Sequence, residues 1–125
     1  MEDINSKLRE IQIEDFIWVI YIFLIILSWY SNSLERKYFL YNDIKSKEKY
    51  RKTLIIIFSI SIVVYLYFLK SSINDINNIK KNDSIKKKNL IYLSFLGSLL
   101  IAISGFIFLY IAYVDNDIDV ELAFN

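Results

Sequence analysis

Cysteine, histidine and proline are absent from the 125 residues, and glycine occurs only as Gly97 and Gly105. Each absence excludes something. Without cysteine there are no disulfides and no thiol chemistry. Without histidine the chain lacks the commonest general base and metal ligand. Without proline, and with so little glycine, nothing predicts the broken helices from which transporters build their sites. No metal-ligand set and no phosphate-binding loop is present, so no cofactor and no metal are expected. A net charge of +1 provides no bulk attraction to nucleic acid.

Charge is also missing locally. Residues 16–34, 53–69 and 89–114 contain no Asp, Glu, Lys or Arg, although 23% of the chain is charged. Crossing a hydrocarbon core of roughly 30 Å takes about 20 apolar residues, with a usable range near 17–25. All three runs qualify, the middle one at the short end. A helix in water would show a polar face every three or four residues. Ile17, Val19, Ile20, Ile22, Leu24, Ile25, Ile26 and Leu27 leave no room for one. Richness in Ile, Val, Phe and Tyr would favour strands in water. In lipid, strands must close into a barrel of about eight or more, each alternating in polarity. Three continuous runs do not fit that pattern.

The expected fold is therefore all-α: an integral membrane protein with three transmembrane helices, an amphipathic N-terminal segment and an extended helical hairpin between helices two and three. The expected organisation is an N-terminal segment at 1–15, a bundle at 16–114 with spans near 16–34, 53–69 and 89–114, and an acidic tail at 115–125. The segment before the first run is acidic on balance, and no small-residue cleavage site follows it. The run is thus expected to stay in the mature protein rather than act as a signal peptide.

Local patterns add detail. Ile4, Leu8 and Ile11 form one apolar helical stripe, suited to lying in the membrane interface or capping the bundle. Asp15 is placed to N-cap the first helix. Trp18/Tyr21 and Trp29/Tyr30 bracket the first span, as aromatic belts do at headgroup level. Tyr50 with Tyr65/Tyr67 is expected to bracket the second span, and Tyr92 with Tyr110/Tyr113 the third. Lys52 and Lys70 can snorkel to relieve the shortness of the second span. Ile73, Ile76 and Ile79 extend a helical stripe beyond it, and Asn82-Asp83-Ser84 reads as a turn and cap before a helix entering at Ile85. The tail from Asp115 alternates acidic and apolar residues, which predicts a strand with Ile118, Val120, Leu122 and Phe124 on one side.

Two residue sets are candidates for function. In helix three, Ser94, Ser98 and Ala102 follow at i, i+4, i+8, with Gly97 and Gly105 beside them. Helices in lipid associate where small residues let backbones approach closely, so this is the expected packing face, within the chain or against a second one. In the first loop, residues 35–52, Arg36, Lys37, Lys45, Lys47, Lys49, Arg51 and Lys52 supply positive charge beside the membrane. They are candidates for contact with anionic lipid headgroups, and the plainer reading makes them solvated flanks of two spans.

Catalysis finds no support. The available carboxylates, such as Glu35, Asp43 and Glu48, are loop residues interleaved with lysines, and paired acids in a dry pocket are not suggested. The protein is expected not to be an enzyme. The leading expectation is a small accessory subunit that binds membrane lipid and another membrane protein or its own copies. The alternative is a holin-like self-assembling pore. A small transporter is third, because no span holds an ionisable residue to carry coupling charge. Use of Ile, Lys, Asn and Tyr points to an AT-rich genome and a bacterial cell membrane.

Orientation is contested. Lys and Arg favour the cytoplasmic side. Helix one has Lys7 and Arg9 before it and seven basic residues after it; helix three has Lys70, Lys80, Lys81, Lys86, Lys87 and Lys88 before it and none after. Three true crossings cannot satisfy both votes. One loop crosses against the rule, or helix two is re-entrant, or the chain inserts both ways. Uniform apolarity makes re-entry the weakest of the three.

Overall fold

Each apolar run lies inside a helix much longer than the run. The computed structural model describes residues 2–122, with side chains from residue 4, and contains three helices: α1, Glu2–Tyr41; α2, Ile44–Asn77; and α3, Ile85–Val114. Each is long and apolar enough to cross a membrane, and no strand occurs among the described residues. The protein is an all-helical membrane protein. At 1.5 Å per residue, α1 is about 60 Å long, α2 about 51 Å and α3 about 45 Å, so all three extend beyond a core of roughly 30 Å.

The chain divides into two compact units, one ending at Thr53 and the other covering Leu54–Leu122. In the first unit, α1 turns into α2 through two residues. Asn42 adopts a left-handed conformation, with φ of 53°. Helices often end this way, usually on glycine and sometimes on asparagine; here no glycine is near. Asp43 then caps α2: its carboxylate accepts the Lys45 backbone N–H at 3.2 Å and the Ser46 hydroxyl at 2.9 Å. The stretch 35–52 is thus two helix ends with a tight turn, not an open loop. Because non-glycine residues other than Asn and Asp rarely adopt αL, Asn42→Ala should cost about 1–2 kcal/mol. Asn42→Gly should cost little, and thermal unfolding in mild detergent compares the two.

The N-terminal segment departs from expectation. It is the first turns of α1 itself, and every side chain from Ile4 to Phe16 is exposed. Asp15 lies in the helix interior and caps nothing. Sharp kinks arise at proline, at Gly/Ser pairs or at bulges, and α1 contains neither proline nor glycine. The segment therefore continues along the axis of the span. Further along α1, Ile17, Leu24 and Ser31 recur every seven residues and are buried, with Leu34 beyond them.

In the second unit, α2 and α3 run antiparallel. Phe58 meets Phe108 with ring centroids 5.8 Å apart, and the Ser72 and Ser98 hydroxyls are 2.9 Å apart. Beyond residue 69, α2 continues to Asn77, and a short turn leads to Ser84, the N-cap of α3. The Ser84 hydroxyl accepts the Lys87 backbone N–H at 3.1 Å. Asp83 closes the turn, its carboxylate accepting the Lys80 N–H at 2.8 Å and pairing with the Lys87 ammonium at 3.2 Å.

The described part of the tail, residues 115–122, forms no strand. Asp115 ends α3 with its N–H on the Ile111 carbonyl, and its two carboxylate oxygens accept the Asp119 and Val120 N–H groups at 3.0 Å each. Ile118 sits at a φ of 57°, in the left-handed region. This local side-chain bonding defeats the period-two pattern. Leu122 is buried, and Phe124 lies outside the described residues.

Candidate interaction surfaces

The packing face of α3 follows from its small residues. Ala102, Gly105 and Ala112 are buried, and Ser98 is half-buried in its hydrogen bond to Ser72. A Cβ built on Gly105 would lie 3.0 Å from Cδ2 of Tyr65 and 3.2 Å from Cγ1 of Ile62. Glycine is what lets the two helices come this close. Ser94 and Gly97 are placed differently. Both are exposed, and a Cβ on Gly97 would meet nothing within 4 Å. Within the chain, the contact stripe runs Ser98, Ala102, Gly105, Ala112, all on one face of α3. Ala112 belongs to it by burial.

Ser61 and Ser104 bond to their own helices, whereas Ser98 bonds across to Ser72. Ser61 donates to the Ile57 carbonyl at 2.8 Å, and Ser104 to the Ile101 carbonyl at 2.7 Å. Thr53 donates likewise to Lys49, at 2.7 Å. In lipid this satisfies a hydroxyl without a partner helix.

The basic cluster of the first unit surrounds the Asn42-Asp43 turn. Arg36, Lys37, Lys45, Lys49 and Lys52 are exposed, and Lys47 and Arg51 are partly covered. The Lys47 ammonium sits over the Tyr38 ring, 5.3 Å from its centroid, a contact worth about 0.5–1 kcal/mol at an exposed site. Tyr50 lies among these residues but is buried to 2% exposure. It is a core residue rather than an interface marker. Trp18 and Trp29 are 65% and 77% exposed, as a ring facing lipid or headgroups must be.

Two turn carboxyls are held below the ordinary aspartate range. The Ser46 hydroxyl is the main cause at Asp43, with backbone N–H groups and Lys37 adding to it. At Asp83 the Lys80 N–H is the main cause, helped by Lys87. A depressed folded value means that the carboxylate stabilises the fold at pH values above the unfolded value, about 3.9, and that this contribution disappears as pH falls through the lowered folded value. The melting temperature in detergent should therefore drop below about pH 4. Replacing both residues by Asn should shrink that drop; an unchanged drop would place the acid sensitivity elsewhere.

Covering of the three helices is uneven. In the most apolar 18-residue stretch of each, 39% of residues are buried in α2, 17% in α3 and only 11% in α1. Phe16, Val19, Ile22, Phe23, Ile25 and Ile26 of α1 are all more than half exposed. Lipid accounts for that inside the bilayer. Ile4, Leu8 and Ile11, ahead of the charge-free run, are 62%, 54% and 45% exposed as well. No family model, no curated protein and no solved structure matches the chain, so its placement rests on these features: it is a small membrane protein with three helices able to cross the bilayer.

Proposed function

We propose that this chain is a non-catalytic accessory subunit that docks, through α1, on a larger membrane protein. The observation that carries this reading is the exposed apolar stripe Ile4, Leu8, Ile11 on the turns of α1 ahead of its charge-free run, which on this reading stand outside the bilayer. Exposed side chains of this size are stable in lipid but costly in water, at about 25 cal/mol per Å². Lys7, Arg9, Glu10 and Glu14 are exposed around the stripe, giving it the polar rim typical of a docking surface. A partner helix or groove beside the span would cover both the stripe and the bare face of α1. The basic cluster at the Asn42 turn supports the membrane setting by matching anionic headgroups.

The test is purification of the tagged chain from its native membranes in mild detergent, beside a Leu8→Glu variant. The reading expects a second protein in fixed ratio with the native chain and its loss from the variant, whose own melting temperature stays unchanged. A homo-oligomer with no second protein would reject the reading and favour the self-assembling pore, which membrane-potential collapse on overproduction would then examine.

A further inference from the structure

The two turns of this chain carry nearly equal positive charge, and one helix long and apolar enough to cross a membrane joins them. The helix joining them is α2, an unbroken 34-residue helix from Ile44 to Asn77. It is about 51 Å long, against roughly 30 Å of hydrocarbon. A re-entrant segment must turn back inside the membrane, and α2 holds no glycine, proline or break at which to do so. α2 runs unbroken from the turn at Asn42 to the turn at residues 78–84, so a full crossing by α2 would put one turn at each membrane surface.

Orientation follows the Lys and Arg bias of short loops and span ends, whereas Asp and Glu contribute little. The turn at Asn42 is flanked by Arg36, Lys37, Lys45, Lys47, Lys49, Arg51 and Lys52, seven residues. The other is flanked by Lys70, Lys80, Lys81, Lys86, Lys87 and Lys88, six. With three full crossings, Lys7 and Arg9 of the α1 extension would count with the second group, eight basic residues against seven. Most of this charge is exposed. Contacts among these residues include Lys87 with Asp83, Lys88 with the Lys81 carbonyl and Lys47 over Tyr38, and Lys47 and Arg51 are partly covered. Lys37, Lys45, Lys49, Lys52, Lys80, Lys81 and Lys86 are exposed. Both turns are tight and closed by an aspartate, Asp43 or Asp83, so neither is a long domain that would translocate regardless of charge.

We propose that the chain itself specifies no orientation: it inserts both ways, in comparable amounts, and a second copy beside it is as often inverted as parallel. This stands independently of the docking reading, since a partner would only select copies of one orientation from the mixture.

The experiment uses the full chain, made in excess over any stoichiometric partner, with a single cysteine at Asn42. Native cysteine is absent, so an impermeant maleimide on sealed membranes reports the outside fraction, and labelling after permeabilisation reports the total inserted. The expected outside fraction is about one half, moving with the charge bias. In a Lys86→Gln, Lys87→Gln, Lys88→Gln background it should fall below about one tenth, as the first turn wins the basic side. In a Lys45→Gln, Lys47→Gln, Lys49→Gln background it should rise above about nine tenths. A single orientation in the unaltered chain overturns the proposal. So does a mixed fraction that neither charge set moves, with the inserted total confirming that each variant is in the membrane.

Discussion

Gly105→Leu is expected to separate α2 from α3, whereas Gly97→Leu leaves them together. Even the first carbon of a side chain at Gly105 would press on the Tyr65 ring at 3.0 Å and on Ile62 at 3.2 Å. Three further carbons would have to be accommodated by shifting the Tyr65 and Ile62 side chains or the helices that carry them. Overpacking typically costs about 1–3 kcal/mol, and the upper end applies where the clash lies on the helix contact itself. Neighbouring contacts would go with it, including the Phe58–Phe108 ring pair and the Ser72–Ser98 hydrogen bond. A leucine at Gly97 meets open space within the chain. The check is thermal unfolding and size-exclusion behaviour in mild detergent. Gly105→Leu should lower the melting temperature and the folded yield; Gly97→Leu should change neither. Equal losses from both would mean that the packing stripe has been placed on the wrong side of α3. A changed oligomeric state from Gly97→Leu at an unchanged melting temperature would assign Gly97 to a contact with a second chain.

Tyr50→Ala should be the most damaging substitution in the first unit. Tyr50 is 2% exposed, the largest fully buried side chain. Truncating a buried aromatic to alanine costs roughly 3–5 kcal/mol, because the surroundings collapse only partly into the cavity. The cost does not depend on water, since packing rather than hydrophobic transfer holds helices together in lipid. Tyr50→Phe keeps the volume and should lose only about 1 kcal/mol for the hydroxyl. Tyr41→Ala, at a position 75% exposed, should fall within about ±0.5 kcal/mol. If all three variants melt alike, Tyr50 is an interface ring after all and its burial does not describe the folded protein in its membrane.

The three spans were legible because charge exclusion over 17 or more residues has one common physical cause, and side-chain detail does not enter. The turn before Ile85 was legible for a similar reason: Asn, Asp and Ser in a row offer caps whatever the surroundings. Other features needed three-dimensional context. Tyr50 reads like Tyr65 or Tyr92 in sequence, since only its neighbours decide whether an aromatic at a span end meets headgroups or core. Asn42-Asp43 sits inside a charged stretch that masks a tight turn. Its signal was the Asn-Asp pair, an αL-tolerant residue followed by a cap. Asp15 resembles an N-cap because an apolar run follows it, yet Ile4, Leu8 and Ile11 already hold the helix pattern upstream. In the tail, alternation suggested a strand, and one aspartate folding back on two backbone N–H groups outweighed it. Of the candidate packing residues, Ala102 and Gly105 are buried and Ser94 and Gly97 are not. Smallness marks where a helix can approach closely; it does not say on which face a neighbour stands.

The most direct test of the three-crossing architecture is to place cysteines at both Asn42 and Asn82 of one chain and weigh the intact protein. The membranes are kept sealed and treated with an impermeant thiol reagent, and a permeabilised sample serves as the reference. With a full crossing by α2 between these positions, each molecule should carry one adduct in sealed membranes, or none if the sole accessible site is shielded, and two after permeabilisation. That result holds for either orientation and for a mixture. A substantial population with two adducts in sealed membranes would put both turns on one side of the bilayer and contradict the crossing by α2.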